Sequence, residues 1–286
     1  MRIGIHTSRA GLLQNSALKA VELGVNTFQI FSSSPRMWRP SLPDPADVRD
    51  FRKIRERHDL FPLVIHCNYL LNMASLDPVI RERSIASFAG ELDRAALIGA
   101  EYLVLHPGNF KNQSIQEGIA AVVLGLAESA RLVRADGVTV LLENTVGAGC
   151  QLGSRFEELR MIRDLALRET DLPIGYCLDT CHLFAAGFDI ANADGLAATI
   201  EQAEALLGLD RVHVIHANDS KGALGGHLDR HANIGEGQIG AAGFRRIMTA
   251  TALRGKPFIL ETPVDEEGDD LRNVRALQRL SQYKTK

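Results

Sequence analysis

Tyr102-Leu103-Val104-Leu105-His106 is an apolar run that ends in an imidazole, and Pro107-Gly108-Asn109 breaks it at once. So short a run with such a stop reads as a buried strand. Helical patterns flank it, Pro78 to Gly99 before and Ser114 to Arg134 after. The same unit recurs in both directions. Leu63-Val64-Ile65-His66 ends in His66, and Val138 to Glu143 ends in Glu143. Pro173 to Leu178 meets Asp179, Val212 to Ile215 meets His216, and Pro257 to Leu260 meets Glu261. Arg2 to His6 and Thr27 to Phe31 complete a set of eight strands. The helical patterns between and after them are Ser16–Leu23, Asp47–His58, Phe156–Glu169, Gly195–Leu207, Ala241–Leu253 and Asp270–Gln282.

Strands alternating with helices predict an α/β fold with a parallel sheet. Eight units with no composition break match one (β/α)8 TIM barrel domain over 1–286, whose site lies at the C-terminal ends of the strands. A doubly wound open sheet is the runner-up. Six of the eight runs end in His66, His106, Glu143, Asp179, His216 or Glu261; an open sheet would scatter those ends along a line, and a barrel gathers them at one mouth.

The 286 residues are 45% hydrophobic and 23% charged, ordinary for a globular protein, and the net charge is −3 with histidine neutral. That balance argues against a uniformly basic nucleic-acid coat, though bound cations would add positive charge where acidic side chains converge. Cys67, Cys150, Cys177 and Cys181 form no dense framework and read as reduced thiols. MRIGIHTSRAG carries no apolar signal core, and no run is long enough to span a membrane, so a cytoplasmic enzyme is expected, acting at the nucleoid if bacterial.

The chemistry concentrates in CLDTCH (177–182) and IHANDSKGALGGHLDRH (215–231). Asp179 and His182 lie one turn of chain apart, and Asp229 and His231 share one side of an extended segment. His182, Asp229 and His231 join the six strand ends to give nine candidate metal ligands. Zinc takes about four, so nine suit two or three ions sharing a carboxylate, and nitrogen-rich ligation favours zinc, manganese or iron over magnesium. Any one histidine could be structural, but six acidic or imidazole strand ends depart from the turn residues that normally follow strands. His58, His213 and His227 do not fit the pattern and read as structural or solvent-facing, His227 with no obvious partner. His6 ends the first strand and reads as a group behind the ligands, orienting one of them or a water. The loop SSSPRMWRPSLPDP carries Arg36, Trp38 and Arg39. Arg36 and Tyr69 sit above the expected mouth, where arginine can meet phosphate and an aromatic ring can stack on a base; ordinary loop packing is the alternative, and it suits Trp38 better. NTVGAGCQLG (144–153) matches no nucleotide-binding fingerprint, and backbone freedom explains it equally well.

LHPGN (105–109), LENTVGAG (142–149), LDTCHLFAAGFDI (178–190), HANDSKGALGGHLDRHANIGEGQIG (216–240) and ILET (259–262) together resemble the endonuclease IV family of apurinic/apyrimidinic endonucleases, also called deoxyribonuclease IV, along nearly the whole chain. The resemblance implies a zinc-dependent AP endonuclease of base excision repair. It would act on duplex DNA containing abasic sites, cutting on the 5′ side to leave a 3′-hydroxyl and a 5′-deoxyribose phosphate. It also implies three zinc ions per chain, with manganese or iron as replacements at some positions. His66, His106 and Glu143 would hold the first. Glu143 would bridge to the second, with Asp179, His216 and Glu261. His182, Asp229 and His231 would hold the third. A hydroxide activated by the first two ions would attack phosphorus. Arg36, Tyr69 and Leu70 match positions that enter the DNA stack and help turn the abasic nucleotide out, which costs less where no base pair remains to break.

Two other readings stand beside this one. A sugar isomerase or epimerase on a related barrel would use one or two metals and would not need the Asp229–His231 set. A non-enzymatic damage-binding protein would keep Arg36 and Tyr69 without a catalytic array. Nothing in the sequence calls for more than a monomer.

Overall fold

The computed structural model describes residues 1–8, 11–38 and 40–282, so Arg39 lies outside the described residues. Eight parallel strands close into a barrel: β1 (Ile3–His6), β2 (Thr27–Phe31), β3 (Leu63–His66), β4 (Tyr102–Leu105), β5 (Thr139–Glu143), β6 (Ile174–Asp179), β7 (Val212–His216) and β10 (Phe258–Leu260). The order around the barrel is β1-β10-β7-β6-β5-β4-β3-β2, and β1 closes onto both β10 and β2. A closed parallel barrel has no free edge and needs helices on its outer face. They are α1 (Leu13–Glu22), α2 (Pro45–Arg57), α3 (Pro78–Ile98), α4 (Ile115–Leu132), α5 (Phe156–Glu169), α7 (Ala193–Leu207), α8 (Gly240–Thr249) and α9 (Asp269–Ser281).

Local chemistry sets the helix ends. Asp44 and Asp77 cap α2 and α3 with a proline at the first helical position, and Ser114 and Glu117 form a capping box on α4. Each supplies an acceptor to backbone N–H groups that have no partner within the helix. Gly99, at φ 75°, ends α3 in the left-handed region. α1 begins at Leu13, before the expected Ser16, because its cap comes from another helix. The Asp47 carboxylate on α2 accepts from the amides of Leu13 and Gln14 at 2.5 and 3.0 Å.

Four elements go beyond what the sequence pattern predicts. α6 (Thr180–Ala185) follows β6 without a loop, because Asp179 both ends the strand and caps the helix through the His182 amide at 2.8 Å. A 3-10 turn, Leu209–Arg211, leads into β7. β8 (Asp219–Ser220) pairs antiparallel with β9 (His231–Ala232), turning the long loop after β7 into a hairpin.

The apolar core has two parts. The larger fills the space between strands and helices. The smaller plugs the barrel interior with Val64, Val104, Leu141, Cys177, Val214 and Ile259, all fully buried. Cutting Leu141 back to alanine there would cost about 2–5 kcal/mol. Each of these six lies two residues before His66, His106, Glu143, Asp179, His216 or Glu261. Side chains at i and i+2 of a strand share a face. The plug is therefore the floor, and the six polar side chains stand directly above it.

Candidate metal centre

Glu143 stands at the middle of the mouth, fully buried. Its Oε2 lies 3.1 Å from Nε2 of His66 and 3.1 Å from Nε2 of His106. Its Oε1 lies 2.8 Å from Nδ1 of His216. That same Nδ1 is 3.3 Å from Glu261 and 4.0 Å from Asp179. Beside this pair of clusters, Asp229 Oδ1 lies 3.3 Å from His182 Nε2 and 3.5 Å from His231 Nε2. The nine side chains singled out in the sequence thus form three groups: His66–His106–Glu143, Glu143–Asp179–His216–Glu261, and His182–Asp229–His231. Within each group, one potential donor atom per residue lies within 4.8 Å of the others. Ligands about 2.0–2.2 Å from a tetrahedral ion stand roughly 3.3–3.6 Å apart, so these groups are spaced as metal-ligand sets are.

Hydrogen bonds fix which nitrogen each ring presents. His66 Nδ1 meets the Cys67 carbonyl at 2.7 Å, His182 Nδ1 the Asn144 carbonyl at 2.9 Å, and His231 Nδ1 the Glu261 carbonyl at 2.9 Å. A carbonyl only accepts, so these Nδ1 atoms carry protons and leave Nε2 free as a ligand. His231 Nε2 is buried with no hydrogen-bond partner. Such an orphan fits a cation that the ring is placed to meet.

His216 is held the other way round. Gln29 Oε1 accepts from its Nε2 at 2.8 Å, so Nδ1 is the atom turned toward three carboxylates. The Gln29 amide donates to Glu261 Oε1 at 2.5 Å and faces His6 Nδ1 at 3.0 Å. Burial drives His6 down to about 4, so it stays neutral and can accept that bond.

The electrostatics describe a cluster short of positive charge. Burial alone would raise the Glu143 carboxyl, but His216 and His106 outweigh it and hold it well below the usual carboxylate range. Desolvation would raise the half-buried Glu261 as well, but His216 holds it at about 2, and Asp229 is held at about 2 by its hydrogen bond to His182. Burial would lower His182, yet Asp179 and the bond to Asp229 raise it to about 10. Burial would lower His216, yet the Glu261 and Glu143 carboxylates raise it well above its ordinary value. Carboxylates that insist on ionising, beside imidazoles that bind protons to answer them, suit divalent cations. Cys177 and Cys181 also lie near these groups, but burial pushes both thiols up to about 12, so neither offers thiolate at neutral pH. All four cysteines are free.

Several residues that hold the site do not stand out in the sequence: Asn218 and Asn144 are neutral amides with no metal signature, and Asp219 ends no apolar run. Asn218 donates to Asp179 at 2.6 Å and accepts from the Glu261 amide at 2.7 Å. Asn144 accepts from the Asp179 amide at 2.7 Å. Asp219, fully buried, accepts from the amides of Gly235, Gly237, Ile239 and Gly240 and gathers the far end of the long loop. A Cβ on Gly237 would collide with that carboxylate.

Of the remaining sequence candidates, those on the loops after β2 and β3 lie on the mouth side, and His58 and His213 lie at the other end of the barrel. Tyr69 is 70% exposed, and its ring meets Phe31 edge-on at 5.2 Å. Tyr69 lines a cavity of about 560 Å³ above the clusters, and with Leu70 a second of about 380 Å³ beside it. Arg36 is exposed in the turn after β2, and Trp38 is half-buried. His58 is exposed at the end of α2, and His213 stacks on Tyr102 at 5.2 Å. His227 does have a partner, contrary to expectation: its Nδ1 meets the Val146 carbonyl at 2.6 Å. That carbonyl lies 81 residues away in sequence, in the glycine-rich loop. There Gly147 and Gly149 take φ of 72° and 61°, the backbone freedom expected of NTVGAGCQLG. No helix among the described residues is long and apolar enough to cross a membrane.

Known proteins share both the scaffold and much of the sequence. A family described as xylose isomerase-like TIM barrels matches residues 17–282. The chain is 62% identical over 281 residues to the probable endonuclease 4 of Solibacter usitatus, covering 98% of this chain and 97% of that one. The crystal structure of endonuclease IV from Thermus thermophilus superposes with a TM-score of 0.86 at 38% identity, covering 98% of each chain. D-psicose 3-epimerase from Clostridium cellulolyticum, at 17% identity and a TM-score of 0.71 over 99% of each chain, shares the fold.

Proposed function

Since the chain belongs to the endonuclease 4 family of xylose isomerase-like TIM barrels, we propose that it is a DNA-repair phosphodiesterase that cuts duplex DNA on the 5′ side of an abasic site, leaving a 3′-hydroxyl and a 5′-deoxyribose phosphate. The whole chain acts as one barrel domain, as a monomer, with three zinc ions, or manganese or iron at some positions. The observation that carries this reading is the placement of Glu143, whose two oxygens face two different donor sets.

In this reading His66, His106 and Glu143 would hold the first ion; Glu143, Asp179, His216 and Glu261 the second; and His182, Asp229 and His231 the third. Such ions would supply positive charge to a phosphodiester and ease the deprotonation of water near neutral pH. The chain's own groups do the rest. Carbonyls of Cys67, Asn144 and Glu261 lock three imidazoles with Nε2 inward. Gln29 locks the fourth with Nδ1 inward and steadies Glu261. The apolar plug beneath keeps water out from below, which strengthens every charge interaction above it. Arg36, Tyr69 and Leu70 enter the DNA stack and help turn the abasic nucleotide out. The third set, around Asp229 and His231, favours phosphodiester cleavage over sugar isomerisation, which needs fewer ions.

Glu261→Gln tests the reading. Cleavage should fall by about a hundredfold or more while the melting temperature moves little, because one ligand at the mouth is weakened and the barrel is not. Equal loss of cleavage and folding would mean that Glu261 is structural.

A further inference from the structure

α3 covers the loops after β2 and β3 with an unusual face. Ser84, Ser87, Glu91 and Arg94 recur at helical spacing, and all four are buried, at 0, 3, 1 and 2% exposure. Around them the helix buries Ile85, Phe88, Leu92 and Ala95. The polar stripe grips both loops. Glu91 is hydrogen-bonded to the Ser32 hydroxyl, and Arg94 Nε donates to that hydroxyl at 2.7 Å. Ser32 is the residue after β2, four before Arg36.

The other loop is held by the same stripe. Asn68 donates to Ser87 at 3.0 Å and reaches Glu91 at 3.5 Å. Its side-chain oxygen accepts from the Leu70 amide at 3.0 Å, forming the turn that presents Tyr69 and Leu70. Ser84 accepts from the Asn72 amide at 2.9 Å and so closes the loop. Above these ties, Phe31 and Tyr69 pack edge-to-face across the same gap. Glu91 and Arg94 face each other at 3.0 Å. A buried ion pair of this kind is weak as a stabilising device, since apolar replacements of similar volume are often neutral or better. What it supplies here is direction: two loops tied to one rigid helix.

We propose that the α3 stripe Ser84–Ser87–Glu91–Arg94 is a positioning element for damage recognition, holding the β2 and β3 loops at one spacing so that Arg36 stands in register with Tyr69 and Leu70. This rests on the proposed function, which gives those three side chains DNA to meet. None of the four stripe residues touches substrate or metal; they act through Ser32, Asn68 and Asn72.

The test is the paired substitution Glu91→Leu with Arg94→Met in the full chain, read four ways. Melting temperature and metal content should match the parent. Amide hydrogen exchange over 32–37 and 68–72 should quicken about tenfold or more as the loops loosen. The dissociation constant for a duplex carrying an abasic analogue should rise about tenfold or more. Single-turnover cleavage at saturating DNA should stay within about threefold of the parent, since the metal groups are untouched. Unchanged exchange and affinity would overturn the proposal, and so would a loss of cleavage at saturation without a loss of affinity. Should the paired variant fail to fold, Ser32→Ala removes the β2 tie alone and should still weaken binding about threefold; full affinity there would overturn the proposal. A parent chain that ignores the abasic duplex would sink the proposed function, and the exchange measurement would then decide by itself whether the stripe holds the loops.

Discussion

The two halves of the barrel mouth are built by different means. On the side of β4 to β10, side chains are aimed by the strands themselves: His106, Glu143, Asp179, His216 and Glu261 each stand two residues above a plug residue. On the side of β2 and β3, the groups proposed to meet DNA sit on loops, and a helix beneath them does the aiming through Ser32 and Asn68. Backbone pairing fixes Glu143, Asp179 and His216 within the hydrogen-bond ladder, and His106 and Glu261 stand one residue past the ends of β4 and β10. The second set depends on side-chain bonds that single substitutions can cut. Chemistry that tolerates little misplacement belongs on the first kind of support, and recognition of a deformable duplex can use the second.

Metal removal should separate the halves most sharply. Chelation should abolish cleavage and lower the melting temperature by about 10 °C or more, as expected when a tightly bound ligand is lost from the native state. The pH dependence of the loss has a definite sign. In the metal-free chain His182 rises from 6.5 to about 10, so its stabilisation is complete below pH 6.5 and fades as pH climbs through 10. Asp229 and Glu261, held at about 2, lose their contribution only in strong acid and play no part in this window. Metal binding runs the other way, because neutral imidazole is the ligand. The gap in melting temperature between loaded and stripped protein should widen from pH 6.5 to 10; a constant gap would contradict the proposed ligand set.

A smaller effect is expected one layer out. Gln29→Ala frees His216 Nε2 and Glu261 Oε1 from their partner. Affinity for the most weakly held metal, measured by competition with a chelator, should drop about 10- to 100-fold with the fold intact. Unaltered metal affinity would show that the strand ends need no such support. The smallest effect belongs to the loops. Arg36→Ala should weaken binding to abasic duplex about tenfold and leave metal content alone. Unchanged affinity would remove Arg36 from the interface.

The same division governs how much could be read from the sequence. Strand-end ligands were legible because an apolar run that stops at His66, Glu143 or Glu261 breaks the usual rule for strand ends, and a closed barrel is the arrangement that makes such ends converge. The supports were not. Gln29 lies inside a β-branched and aromatic strand and looks like any polar residue there. Asn218 and Asn144 look like ordinary turn residues. Ser87, Glu91 and Arg94 are polar residues in a long helix, and periodicity alone does not tell a buried polar stripe from a solvated one. α1 began early because Asp47 reaches across from α2, a long-range contact that no local pattern encodes. α6 was hidden because one aspartate serves as strand end, helix cap and candidate ligand together.

The central claim is that three donor sets around Glu143 serve phosphodiester cleavage at a damaged site. The most direct measurement is incision of a duplex oligonucleotide carrying a single abasic analogue, with metals counted on the same preparation. Cleavage on the 5′ side leaving a 3′-hydroxyl, with about three metal ions per chain, is the predicted result. Three bound metals with no incision of any damaged duplex would contradict it and turn attention to sugars.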